Sequence, residues 1–163
     1  MSPVSRKETS HRTLVTLRCT TAIMAGLLIL SPVNVMAQDA DLTWRFTSIN
    51  GGNWNRTATR WLDGATPTDF NQANGNPDNA TSEAPGSGNG YTVTVTEPDL
   101  RVRDITFNAN DVRVNASGGG TLDLTGNPTI TVTDANHTAT ISAPIVDGNI
   151  NKAGDGLLRL TGV

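Results

Sequence analysis

The stretch Tyr91-Thr-Val-Thr-Val-Thr96 alternates threonine with tyrosine or valine. This period-2 alternation predicts a β-strand with one buried face. Similar short segments continue as far as Leu158-Arg-Leu160, separated by Gly, Asn, Asp and Pro residues that favour turns. Because no segment here has a helical period, we predict an all-β fold. The expected inward-facing residues are Val93, Val95, Ile105, Phe107, Leu122, Leu124, Ile130, Val132, Ile141, Leu158 and Leu160.

Two architectures accommodate strands this short. One is an antiparallel β-sandwich, and the other is a solenoid whose coils stack so that each strand pairs with the strand of the next coil. Residues 120–126 (Gly-Thr-Leu-Asp-Leu-Thr-Gly) are echoed 36 positions later by residues 156–162 (Gly-Leu-Leu-Arg-Leu-Thr-Gly). Similarity at a fixed offset is typical of stacked repeats, so it favours the solenoid.

The first 37 residues have the pattern of a secretory signal peptide. A basic start precedes the apolar run of residues 22–30, Pro32 ends the run, and Val35-Met-Ala37 provides a cleavage motif. The run is too short for a membrane-spanning helix, which needs about 20 apolar residues. We therefore expect an exported protein, located at the cell surface, in the outer membrane or outside the cell.

Export would leave an acidic chain without cysteine. The only cysteine, Cys19, lies in the predicted leader, and residues 38–163 carry eight basic and fourteen acidic side chains. Stability must then come from backbone pairing and an apolar core rather than from disulfides. The negative charge argues against binding to nucleic acid.

The N-terminal part of the mature chain divides into two segments. Residues 38–62 are rich in aromatic residues, and residues 63–90 have the composition of a polar, irregular loop. The tryptophans of the first segment have two interpretations: they plug the end of a coil stack, or they form a platform that stacks against sugars. They are Trp44, Trp54 and Trp61, with Phe46 beside the first.

No catalytic, cofactor or metal site is predicted. His137 lies in a turn, and the Gly-x-Ser-x-Gly motif is absent from the sequence. Asp104, Asp123 and Arg159 are expected to point outward from strands, where paired acids could serve a polysaccharide hydrolase but more often form a solvated face. Residues 69–78 are rich in oxygen ligands but lack the spacing of a calcium loop.

The closing stretch Ile150-Asn-Lys-Ala-Gly-Asp-Gly-Leu-Leu-Arg-Leu-Thr-Gly162 resembles the autotransporter-associated β-strand repeat. It has the lysine, the Gly-x-Gly, the alternating leucines and the final Thr-Gly of that motif. The upstream tryptophans, polar loop and Tyr-Thr-Val-Thr-Val strand are similar to the N-terminal regions of such proteins. The family has no catalytic residues, and its passenger domains form right-handed parallel β-helices. Since Val163 directly follows the Thr-Gly, we expect the β-helix of residues 91–163 to be truncated there.

The expected function is therefore that of a non-catalytic surface or secreted scaffold involved in adhesion. Its expected partners are a surface glycan or a ligand on a host or neighbouring cell, together with a second copy paired edge to edge. Two alternatives remain open from the sequence: a polysaccharide-degrading enzyme on the same scaffold, and a carbohydrate-binding module that uses the three tryptophans.

Overall fold

The computed structural model describes residues 40–44, 51–70, 77–83, 90–124 and 126–162. The chain divides into two compact units, Met1–Asn34 and Val35–Val163, and all the described residues belong to the second unit. These ranges contain β-strands, turns and no helix, which confirms the all-β prediction. The predicted signal peptide and Phe46 lie outside the described residues. The strands are β1 (Asp41–Trp44), β2 (Gly52–Trp54), β3 (Trp61–Asp63), β4 (Thr66–Thr68), β5 (Asn79–Ser82), β6 (Thr92–Val95), β7 (Leu100–Arg101), β8 (Ile105–Phe107), β9 (Val112–Ala116), β10 (Leu122–Asp123), β11 (Thr129–Val132), β12 (Thr138–Ile141), β13 (Ile145–Val146), β14 (Asn151–Ala153) and β15 (Leu157–Leu160).

The strands form three sheets that the chain visits in rotation. Sheet A has the order β14-β11-β8-β5-β1-β3-β4, sheet B the order β15-β12-β9-β6-β2, and sheet C the order β13-β10-β7. From β5 onward the chain passes through sheets A, B and C in turn, and we call each such passage a circuit. Every described pairing between circuits is parallel.

The registers place apolar residues of successive circuits directly beside one another. In sheet A, Ala80 pairs with Ile105, which pairs with Ile130, each step spanning 25 residues. In sheet C, Leu100 pairs with Leu122. All five side chains are buried, because period-2 alternation turns the same face of each strand towards the common core.

Nine of the eleven predicted inward residues are buried, and the other two lie on β15. Leu158 is half-buried and Leu160 is 47% exposed. Leu160 pairs with buried Ile141, so its register is that of an inward residue. The expectation that it is covered is wrong because β15 pairs only with β12 among the described strands.

The 36-residue echo does not mark the repeat of this fold. Leu122 lies on β10 of sheet C, whereas Leu158 lies on β15 of sheet B. Paired residues of successive circuits are instead 19 to 27 positions apart. A Leu-x-Leu pair suits any strand with one buried face, so the pattern does not specify a sheet.

The parallel pairing begins earlier than Tyr91, the start expected from the sequence. β1 pairs with β5 and β2 pairs with β6, both in parallel. Among the described strands, antiparallel pairing is found only where β3 and β4 extend sheet A beyond β1. The segment 63–90 was expected to be irregular, but it contains β4 and β5. Pro67 lies on the outermost strand, β4, where a missing N–H group breaks no interior hydrogen bond.

Candidate functional sites

Four aromatic rings form a buried cluster beside β1, β2 and β3. Trp61 is at its centre, with ring centroids 5.0 Å from Trp44, 5.0 Å from Trp54 and 4.9 Å from Phe70. The Trp44–Trp61 pair meets edge to face at 87°, an arrangement that aromatic quadrupoles favour. The rings that contact one another are 7 to 17 positions apart in the sequence.

The cluster offers no indole face to a ligand. Trp44, Trp54 and Trp61 are exposed by only 2%, 2% and 3%. A neighbouring cavity of about 20 Å³, lined in part by Tyr91 and Phe107, has room for about one water molecule rather than for a sugar ring. The tryptophans therefore act as core residues here, and the sugar-platform interpretation finds no support in their burial.

Asp104, Asp123 and Arg159, the charged residues considered for glycan hydrolysis, are not brought together. Asp104 precedes β8 of sheet A, Asp123 lies on β10 of sheet C, and Arg159 lies on β15 of sheet B. Asp104 Oδ1 accepts a hydrogen bond of 2.6 Å from the backbone N–H of Thr129. Its carboxylate therefore joins one circuit to the next.

Asp123 is not the solvated residue that the sequence predicts. It is only 8% exposed, and its Oδ2 lies 3.1 Å from Nε of Arg101 on the neighbouring circuit. The residues that cover it on either side in sheet C are Arg101 and Val146. The alternation pattern places Asp123 outward but does not show that its neighbours cover it.

His137 is not arranged as a catalytic base. Its ring Nδ1 is buried and has no hydrogen-bonding partner in the described part of the chain. The nearby carboxylate of Asp134 accepts hydrogen bonds from Asn136 instead, and the backbone N–H of that residue lowers the pKa of Asp134. Within the described ranges, no acid therefore accepts a hydrogen bond from this nitrogen, as the acid of a hydrolase triad would.

The candidate calcium loop, residues 69–78, is described only at its ends. Within the described ranges no group of three or more His, Cys, Asp or Glu residues is placed to hold a metal ion. Asp78 is 7% exposed, and its Oδ1 accepts a 3.1 Å hydrogen bond from the N–H of Ala40. Burial raises the pKa of this carboxyl group, with smaller contributions from Asp69 and Asp63.

Sheet A carries on its outer face a column of threonines that the sequence analysis missed. Thr43 pairs with Thr81, Thr81 with Thr106, and Thr106 with Thr131, on strands β1, β5, β8 and β11. All four side chains are partly exposed, and their hydroxyls make no hydrogen bond to another described residue. The signal was present as recurring triplets in which threonine separates two inward residues, such as Ile105-Thr-Phe107.

Acids and amides flank this threonine column, two residues away on either side. On one side, Asn79 Nδ2 donates to Asp41 Oδ1 at 2.6 Å. On the other side, Asn108 Nδ2 donates to Glu83 Oε1 at 2.9 Å. Asp104 lies on the same side as Asn79 and Asp41, two residues before Thr106. Its Oδ2 is 4.0 Å from Nε of Arg103. The face therefore combines unbonded hydroxyls with carboxylate and amide groups.

Comparisons with known proteins add no relative. No protein-family model, curated protein or solved structure matches the chain. Within the described ranges, no helix has the length and hydrophobicity needed to span a membrane.

Proposed function

We propose that the circuits form a right-handed parallel β-helix and that the protein is a non-catalytic scaffold of the autotransporter-passenger type. The observation that supports this best is the rotation of the chain through sheets A, B and C with parallel pairing between circuits. Right-handedness follows from the general rule for connections between parallel strands. A sandwich of antiparallel neighbours would pair consecutive strands instead, as only β3 and β4 do among the described strands.

Export to the cell surface or the medium is part of the proposal. It is supported by the leader pattern of residues 1–37 and by the lack of cysteine after that segment. A role in adhesion is supported by the broad outer face of sheet A and by the lack of a described group arranged for catalysis. Edge-to-edge self-association is supported by Leu157 and Leu160, exposed by 49% and 47% on β15.

The arrangement of the circuits can be tested with a designed disulfide. Neighbouring parallel strands are about 4.8 Å apart, within the Cα separation that disulfides tolerate. In a Cys19→Ser background, Thr106→Cys with Thr131→Cys should give a disulfide on mild oxidation. The control pair, Thr106→Cys with Thr140→Cys, joins sheets A and B and should stay reduced. Equal oxidation of the two pairs would contradict the proposed stacking.

The location and the lack of catalysis need separate measurements. Expression of the tagged full chain in a Gram-negative bacterium should give a product that begins at Gln38. This product should either be digested by protease added to intact cells or be found in the medium. An unprocessed cytoplasmic product would refute export. Release of new reducing ends from a polysaccharide panel would favour the enzyme hypothesis.

A further inference from the structure

We propose that the threonine column of sheet A, together with its flanking carboxylates and amides, binds an extended neutral polysaccharide. This inference rests on the proposed function, because it names the partner of a non-catalytic surface scaffold. The column consists of Thr43, Thr81, Thr106 and Thr131, paired in register across four neighbouring strands.

The first argument is the regular spacing of the hydroxyl groups. Neighbouring strands in a sheet are about 4.7–4.9 Å apart, so the four threonines span about 14 Å in a nearly straight line. Their flanking residues Leu42, Ala80, Ile105 and Ile130 are buried, which directs the threonines outward. A straight polymer lying across the strands meets the same chemical group at each step.

The second argument is the unused hydrogen-bonding capacity of the column. Each hydroxyl can donate one hydrogen bond and accept others, and none bonds to another described residue. Sugar hydroxyls have the same dual capacity. The carboxylates of Asp41 and Glu83 each accept one bond from an amide and retain further lone pairs, so they can also accept bonds from sugar hydroxyls. Charge-assisted bonds of this kind are the stronger ones.

The third argument is charge. Among the described residues, the flanks bring Asp41, Glu83 and Asp104 to the face, and Arg103 lies beside Asp104. Because this excess of carboxylates repels anionic polymers, the face selects a neutral chain over an acidic polysaccharide or a nucleic acid. The three tryptophans are buried beneath the sheets, so recognition depends on hydrogen bonds rather than on stacking.

The mode of binding predicts a dependence on chain length. Single hydroxyl contacts contribute little because water competes for them. A chain that reaches all four threonines gains from multivalency, so short oligosaccharides should bind weakly and long chains much more tightly.

The test is native affinity electrophoresis of the full chain in gels that contain neutral xylan, mannan or mixed-linkage glucan, with alginate as the acidic comparison. The double variant Thr81→Val/Thr106→Val removes two hydroxyls and keeps the β-branched shape. We expect its apparent Kd to rise about tenfold. The matched control is Thr94→Val/Thr140→Val on the outer face of sheet B, which should bind as the parent chain does. The serine variant Thr81→Ser/Thr106→Ser keeps the hydroxyls and should retain binding.

Several results would overturn the inference. They are lack of retention on every neutral polysaccharide, equal weakening by the sheet A and sheet B double variants, and tighter binding to alginate. Inhibition of ice growth without retention on a polysaccharide would also overturn it, because a regular hydroxyl array could then be ordering water instead. Reducing ends are measured in the same samples. Their release refutes the non-catalytic function, whereas lack of retention without release refutes the glycan inference alone.

Discussion

Replacement of Gly120 by alanine tests the close stacking of circuits. Gly120 is buried at the turn after β9, and an added Cβ would lie 2.2 Å from the carbonyl oxygen of Val95 on the preceding circuit. Ordinary contacts begin at 3.4 Å. The two circuits would therefore have to separate by about 1 Å, which strains the 3.0 Å hydrogen bond from the N–H of Ser117 to the same carbonyl.

The expected loss of stability follows from two effects. Overpacking costs about 1–3 kcal/mol and a lost hydrogen bond about 1 kcal/mol, so Gly120→Ala should lower the free energy of unfolding by about 2–4 kcal/mol. For a domain of this size that corresponds to a fall in Tm of about 10 °C.

The matched control is Gly118→Ala in the same turn. Gly118 has a φ of +61° and nothing within 4 Å of an added Cβ. Only the left-handed conformation is then penalised, at about 1 kcal/mol. Thermal and urea unfolding followed by circular dichroism measure both variants. If Gly118→Ala were as damaging as Gly120→Ala, the described contact between circuits would be wrong.

Three further substitutions probe the core, the aromatic cluster and a buried acid. Leu124→Asp places a charge at a fully buried position and should lower the free energy of unfolding by more than 4 kcal/mol in urea titrations, whereas Thr140→Val should change it by less than about 0.5 kcal/mol. Trp61→Ala should cost about 3–5 kcal/mol in the same assay and remove much of the near-ultraviolet circular dichroism, because Trp61 contacts three other rings. Asp78→Asn keeps an oxygen that can accept the hydrogen bond from the N–H of Ala40, and it removes the negative charge of the carboxylate. Burial raises the pKa of the Asp78 carboxyl group. Since the fold disfavours the ionised carboxylate, the Tm of this variant should exceed that of the parent chain at neutral pH. The difference in Tm should shrink as the pH falls through the raised pKa of Asp78, because the carboxyl group of the parent chain then becomes neutral. A difference in Tm that widened in acid would refute this account.

Much of the strand structure was predictable because alternation is a local property. Ile105-Thr-Phe107 and Ile130-Thr-Val132 show their buried faces in three residues, and both pairs of apolar residues are buried as expected. The segment Asn79–Ser82 was missed because Asn-Ala-Thr-Ser contains little hydrophobicity. It forms a strand because its backbone pairs on both sides, with β1 and with β8.

The threonine column could also be predicted only in part from the sequence. Each threonine of the column can be seen in the sequence, but their common line depends on steps of 38 and 25 residues that are set by turns of unequal length. The burial of Trp44 likewise depends on β3 returning antiparallel to β1, which brings Trp61 beside it.

The amino-acid sequence alone determined that the chain is all-β and which face of most strands is apolar, because side-chain direction alternates along any strand. Only the tertiary structure decided which strands are neighbours, that Asp123 is covered and Leu160 is not, and that four distant threonines form one column. The physical reason is that pairing and burial depend on the residues of adjacent strands. In every described pairing except that of β3 with β4, these residues lie 17 or more positions away, and their spacing is set by the turns between them.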